Sequence, residues 1–282
     1  MFSRWRNLRI LTGYAVALAA ILATISFLDL DWKSFRFHIN QIPVSAILIA
    51  ALMFLTSTVI NALAFGVLLR AFSPNTGVRE SATSWLSTIL AKYIPGGVWH
   101  FVSRGMMLHR AGVTKQDILY SGALEQAISI TSASTIALLL VAWNSNSWLY
   151  LGILAGSMLT GGLGILWLRT KISDAANRET ILRSCLLYTV SMAPYAAGYV
   201  LIVQPGQLLD FLGWLFVATS GGMAALITPG GLGVREAILS APATPTDGQA
   251  IFAEVMAIRV TIILTEALAS SGSILLSMMN GW

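Results

Sequence analysis

Apolar positions in this chain come in unbroken runs of about twenty rather than in stripes, and the polar positions are bunched into short connections between them. That pattern predicts helices with apolar side chains all round, where a surface helix of a soluble protein would show a polar face. Full-length runs fall at about 8–28, 44–69, 117–142, 148–168, 183–203 and 251–278. Each is long enough to cross the hydrocarbon of a bilayer as an α-helix. Two further apolar segments, 81–110 and 211–240, are broken in the middle by Pro-Gly-Gly, at Pro95-Gly96-Gly97 and Pro229-Gly230-Gly231.

Composition sharpens this picture. With 56% apolar and only 10% charged residues, the chain has too little charge to wet the surface of a soluble globule, so an all-α polytopic membrane protein is predicted. The run after "MFSRWRNLRI" is read as a retained first span, because a cleaved leader would have a shorter core and a small-x-small cleavage site. The single Cys185 and three scattered histidines offer no disulfide within the chain and no ligand constellation, so no metal and no cofactor is expected. The net charge of +5 sits largely in short loops, which argues for topology and contact with anionic membrane lipids, and against nucleic acid.

Taking both broken segments as hairpins that enter and leave on one side, the Lys/Arg distribution orients the remainder. Arg4, Arg6 and Arg9, the loop with Arg70 and Arg79, and the loop with Arg169, Lys171, Arg178 and Arg183 share one face. "WNSNSW", "QPGQLLD" and "APATPTDGQ", without Lys or Arg, fall on the other; the loop "DLDWKSFRFHINQ" is the exception, its Lys33 and Arg36 offset by Asp29 and Asp31. The basic face is expected to be cytoplasmic, with both termini inside. Trp5, Trp32, Trp143, Trp148, Trp167 and Trp214 fall near span ends, as interfacial anchors do.

The two breaks lie 134 residues apart (229 minus 95), and three full spans separate them. An odd number inverts the second half. The expected architecture is therefore one transmembrane domain, 1–282, of six spans and two re-entrant hairpins, in inverted halves of about 1–143 and 147–282. Discontinuous helices in matching positions of an inverted repeat point to a transport site near the midplane. Two kinked spans are the plainer alternative.

Backbone that leaves helical geometry within a membrane is tolerated only beside protein or trapped water. Each break is therefore expected to border a cavity, with the N–H groups of the following helix free to meet an anion. Lys92 and Tyr93 precede the first break, Arg104 follows it, and Arg235 follows the second. The last span carries Glu254, Arg259 and Glu266, while Glu125 lies in the span at 117–142. Ionisable groups at that depth face a partner or a wet path. Arg259 is expected to pair with Glu236 or Glu125, and the carboxylates serve either as structural ion-pair partners or in proton coupling. Asn61 and the Ser/Thr-rich stretches are read as interhelical hydrogen bonders.

"KYIPGGVW" (92–99) and "TPGGLGVREA" (228–237) resemble the two signature stretches of the lysylphosphatidylglycerol synthase transmembrane-region family, the flippase half of multiple-peptide-resistance proteins. The chain is similar to a free-standing member without the aminoacyl transferase, over essentially its whole length. The resemblance implies a bacterial inner-membrane protein that moves a phosphate-containing lipid between leaflets. The substrate would be a polyprenyl-phosphate-linked sugar, an aminoacylated phosphatidylglycerol or an ordinary phospholipid, with no enzymatic step. A homo-oligomer or a glycosyltransferase partner would also fit. Two rivals are an integral membrane enzyme acting on a lipid phosphate, for which Ser103-Arg104 is the nearest motif, and an accessory subunit of a membrane glycosyltransferase.

Overall fold

The computed structural model describes residues 32–94, 98–141, 175–225, 228–231, 233–240 and 245–279, with scattered helical positions between 152 and 163. The expected span at 8–28, most of 148–168 and the first Pro-Gly-Gly therefore lie outside the described residues.

The helices are α1 (Trp32–Gln41), α2 (Val44–Arg70), α3 (Val78–Thr88), α4 (Trp99–Arg110), α5 (Lys115–Val141), α6 (Ala175–Val203), α7 (Leu208–Ala224), α8 (Val234–Ser240) and α9 (Pro245–Met279). Single 3-10 turns, Ile89–Tyr93 and Pro229–Gly231, sit at the two breaks, and the described residues contain no strand. Three helices, Val44–Arg70, Lys115–Leu140 and Asn177–Val203, are long and apolar enough to cross a membrane. The expected run at 251–278 lies within α9. The stretch around Lys33 and Arg36, read from the sequence as a loop, forms α1 and packs on α9. Ten residues are too few to register as a span, so a hydropathy window passes over them.

The distribution of side chains is that of a protein turned outward to an apolar medium. Leu182 and Leu186 on α6 are 68% and 64% exposed, and Val260, Leu264 and Leu268 form an outward stripe along α9. Their four-residue spacing keeps each set on one helix face. The interior holds Ser81, Ser121, Ser134, Ser184, Ser191 and Ser220, together with Arg104, Glu125, Glu236, Arg259 and Glu266.

The seam between α2 and α6 shows what holds such an interior together. Where the surroundings are as apolar as the core, close packing of small residues and interhelical hydrogen bonds drive association. Ser184, Ser191 and Gly198 stand at intervals of seven, the repeat at which two helices stay in contact along their length. Ser57 Oγ donates to Ser191 O (2.9 Å), Ser184 Oγ donates to Ala64 O (2.9 Å), and Ser191 Oγ also reaches Asn61 Oδ1 (2.7 Å). Partner numbers fall on one helix as they rise on the other, so α2 and α6 run antiparallel. At Gly198 an added Cβ would lie 2.5 Å from the Phe54 ring, which Tyr195 and Tyr199 of the same helix also meet edge-on. Gly198→Ala is therefore expected to destabilise the fold by about 1–3 kcal/mol through overpacking, read as a lowered unfolding temperature in detergent micelles.

Ser57 and Ser191 are 134 residues apart, the separation of the two Pro-Gly-Gly sites. The same offset carries α3 onto α7 and α5 onto α9. Among these, α3 packs on α9 while α7 packs on α5.

Candidate functional site

The site is built where the 3-10 turn Ile89–Tyr93 meets the second break at Pro229–Gly231. After α3 the chain tightens into the 3-10 turn Ile89–Tyr93, which directs Lys92 and Tyr93 at α9. Lys92 Nζ lies 2.6 Å from Glu266 Oε1, and Tyr93 OH donates to Glu266 Oε2 at 2.9 Å. The Tyr93 ring also rests on the second turn, 3.0 Å from where a Cβ on Gly230 would be. Gly230 and Gly231 have φ of 58° and 72°, so a side chain there would strain the backbone as well as meet its neighbours.

Two buried ion pairs flank this junction. Arg104 on α4 makes a two-pronged contact with Glu125 on α5, and its guanidinium carbon lies over Phe65, 3.9 Å from the ring centroid. Trp85 on α3 donates to the same carboxylate at 2.6 Å. On the other side Arg259 Nε donates to Glu236 Oε1 at 2.5 Å, and Glu236 Oε2 accepts the Gly233 N–H at 2.6 Å. Glu125 and Arg259, each one end of a buried ion pair, stand at the same 134-residue separation. A buried charge is tolerable only when paired and hydrogen-bonded, and both pairs meet that condition.

Glu236 also changes one expectation. The sequence reading has free N–H groups at the start of each second helix awaiting an anion. At the second break the Gly233 N–H is already taken by Glu236, so positive character there comes from side chains.

Arg235 differs from the other cations. Its Nη1 donates to Tyr195 OH at 3.1 Å, its Nε is buried without a hydrogen-bond partner, and no described carboxylate forms an ion pair with it. It lies in a slot that exists because residue 222 is glycine: a Cβ there would be 2.4 Å from both Arg235 Cγ and Arg235 Nε.

These residues enclose a cavity of about 200 Å³ whose walls include Lys92, Arg104, Glu125, Arg235, Arg259 and Glu266, with Gly230 and Gly231 at one side. Tyr93 and Glu236 stand just behind that wall through their bonds to Glu266 and Arg259. Pro229 opens the second turn. Glu254, half-buried on α9, does not line the cavity. Pro95, Gly96 and Gly97 lie outside the described residues. Side chains that the charge pattern alone passes over complete the wall: Trp85, His100, Gln126 and Tyr195. His100 Nδ1 is buried and unpartnered. A Tyr directly after Pro194 inside an apolar helix, and a Trp on a broken arm, were the available signals.

Next to this chamber lies a second cavity of about 810 Å³ with a different lining: Phe101, Val102, Met106, Ile118, Leu119 and Ile130. Arg104, Gln126 and Met223 border both spaces. A charged chamber and an oily groove thus share one wall.

No known family model matches the sequence, and no curated protein matches it either. The functional reading therefore rests on the residues and their geometry.

Proposed function

We propose that this protein translocates an amphiphile with a phosphate head group between the leaflets of a membrane, as the resemblance to the lysylphosphatidylglycerol synthase transmembrane-region family implies. The observation that carries the reading is the shared wall of the charged chamber and the apolar groove at Arg104, Gln126 and Met223. A charged head group crosses hydrocarbon only with great difficulty, and a wet chamber at depth removes that barrier. The groove gives the chains somewhere apolar to lie while the head group is inside. In this reading the substrate is a polyprenyl-phosphate-linked sugar or an (aminoacyl-)phospholipid.

The remaining architecture follows the same proposal: six spans, two re-entrant hairpins, an inverted repeat, a bacterial inner membrane and cytoplasmic termini. Its support is the antiparallel seam between α2 and α6 and the packing of α3 on α9 and of α7 on α5. Transport would proceed by rocking one half against the other about that seam. Lys92, Tyr93, Arg104, Arg235 and Arg259, with the two Pro-Gly-Gly turns, form the substrate site; Glu125, Glu236 and Glu266 hold its cations in place.

Reconstitution tests this directly. In proteoliposomes carrying head-group-labelled phospholipid, a membrane-impermeant quencher is expected to reach nearly all of the label with the protein present and only the outer half without it. Label protected to the same extent in both preparations would refute translocation of that lipid.

A further inference from the structure

The charges around the chamber do not cancel. Lys92 faces Glu266, Arg104 faces Glu125 and Arg259 faces Glu236, which leaves Arg235 as the cation without a carboxylate among the described residues. Four cations and three carboxylates leave one positive charge. Arg235 is wedged between Gly222 and Gly231, its Nε 3.2 Å from where a Cβ on Gly231 would be, and its Nη1 donates to the Tyr195 hydroxyl. Arg235 and His100 both line this chamber, and Arg235 Nε and His100 Nδ1 are buried without a hydrogen-bond partner.

From this balance we infer that the chamber takes one negative charge and no more, the phosphodiester of an amphiphile, with Arg235 as the residue that neutralises it. The inference rests on the reading above and narrows it. Space does not make the selection, since about 200 Å³ has room for about six waters at 30 Å³ each and would admit a diphosphate as readily as a single phosphate. Charge does. A second negative charge would either stay uncompensated inside the protein or draw Lys92, Arg104 or Arg259 away from its carboxylate, and breaking a buried pair strands the partner. A phosphodiester carries one charge shared by two oxygens. The Arg235 guanidinium, which lines the chamber, would meet that charge and leave all three pairs intact.

Binding to the purified full chain in detergent, followed by isothermal calorimetry, tests the inference without requiring transport. Dioctanoylphosphatidylglycerol and dioctanoylglycerol diphosphate share their tails and differ in head-group charge. The first is expected to bind about 100-fold tighter, the consequence of one uncompensated buried charge or one broken pair in the second. Arg235→Gln should reduce phosphatidylglycerol affinity at least about 10-fold, as the loss of a charged hydrogen-bond donor to an anion does. Glu266→Gln frees the charge of Lys92 and should shift the preference at least about 10-fold towards the diphosphate. A diphosphate that binds the unaltered protein as tightly as phosphatidylglycerol overturns the inference, as does decanoate binding as tightly, which would remove the phosphodiester assignment. Unaltered affinity in Arg235→Gln would do so too; if either variant fails to elute as a monodisperse peak, the comparison of ligands on the unaltered protein decides alone. Dimethyl phosphate separates the two claims: if it binds as tightly as the short-chain lipid, the translocase reading falls while the charge selectivity stands.

Discussion

Arg259→Met is expected to lower the unfolding free energy by about 3–5 kcal/mol, because it removes one partner of a buried ion pair and leaves the other charged. Arg259 is 4% exposed and Glu236 only 1%, so no solvent reaches the stranded carboxylate. Part of the loss arises further along the chain. Arg259 Nη2 also lies 3.4 Å from Gly231 O, at the end of the Pro229–Gly231 turn, and Glu236 caps α8 through the Gly233 N–H. Adding Glu236→Gln is expected to recover most of the stability, since the amide oxygen still accepts the Gly233 N–H while the buried charge is gone. Unfolding followed by circular dichroism in detergent gives both values. A single variant within 1 kcal/mol of the unaltered protein would mean that Arg259 and Glu236 are not held together, and the wall of the chamber would have to be redrawn.

This pair also shows how far the sequence could be read. Arg259 in an apolar run demands a partner, and Glu236 was one of two candidates that charge alone allowed. Choosing between them needs the path of the chain: Glu125 belongs to Arg104, 21 residues away, and Trp85, 40 residues away, also bonds it. Lys92 and Glu266 are 174 residues apart, and nothing local in either stretch announces the contact. Pairings of this kind follow from the packing of α3 on α9, which is a property of the whole fold.

Long helices were more legible than their ends. The run expected at 44–69 is α2 (Val44–Arg70), because hydropathy and helix length coincide there. In contrast α6 begins at Ala175, eight residues before the apolar run at 183, since "AANRET" is rich in good helix formers although it is polar. Hydropathy marks where a helix meets an apolar medium, and propensity decides how far it continues beyond. The second break was legible for a further reason: the torsions of Gly230 and Gly231 are ones that glycine adopts without strain, so the sequence advertises them. The role of Gly222 was hidden. It sits inside α7, where a glycine ordinarily weakens a helix, and its purpose appears only once Arg235 lies across it.

That glycine supports the second large expected effect. Gly222→Ala should lower phosphatidylglycerol affinity about 10-fold or more while the protein stays folded, because the added methyl displaces the guanidinium that is to hold the charged group. The methyl would lie 2.4 Å from Arg235 Cγ and Nε, and a clash at Cγ, close to the backbone, cannot be relieved by rotating the end of the side chain alone. Alanine is the better helix former by roughly 0.5–1 kcal/mol, which offsets part of the crowding and favours a folded variant. Its neighbour is the control. A Cβ on Gly221 meets Ile238 Cδ1 at 2.9 Å, the tip of a flexible side chain that can turn aside. Gly221→Ala should therefore bind phosphatidylglycerol within about 3-fold of the unaltered protein, well inside the change expected for a lost charged contact. Calorimetry on the two variants side by side separates a crowded helix from a displaced arginine. Equal losses in both would assign the effect to α7 as a whole and remove Arg235 from the site, whereas a loss confined to residue 222 ties affinity to the position of that one guanidinium.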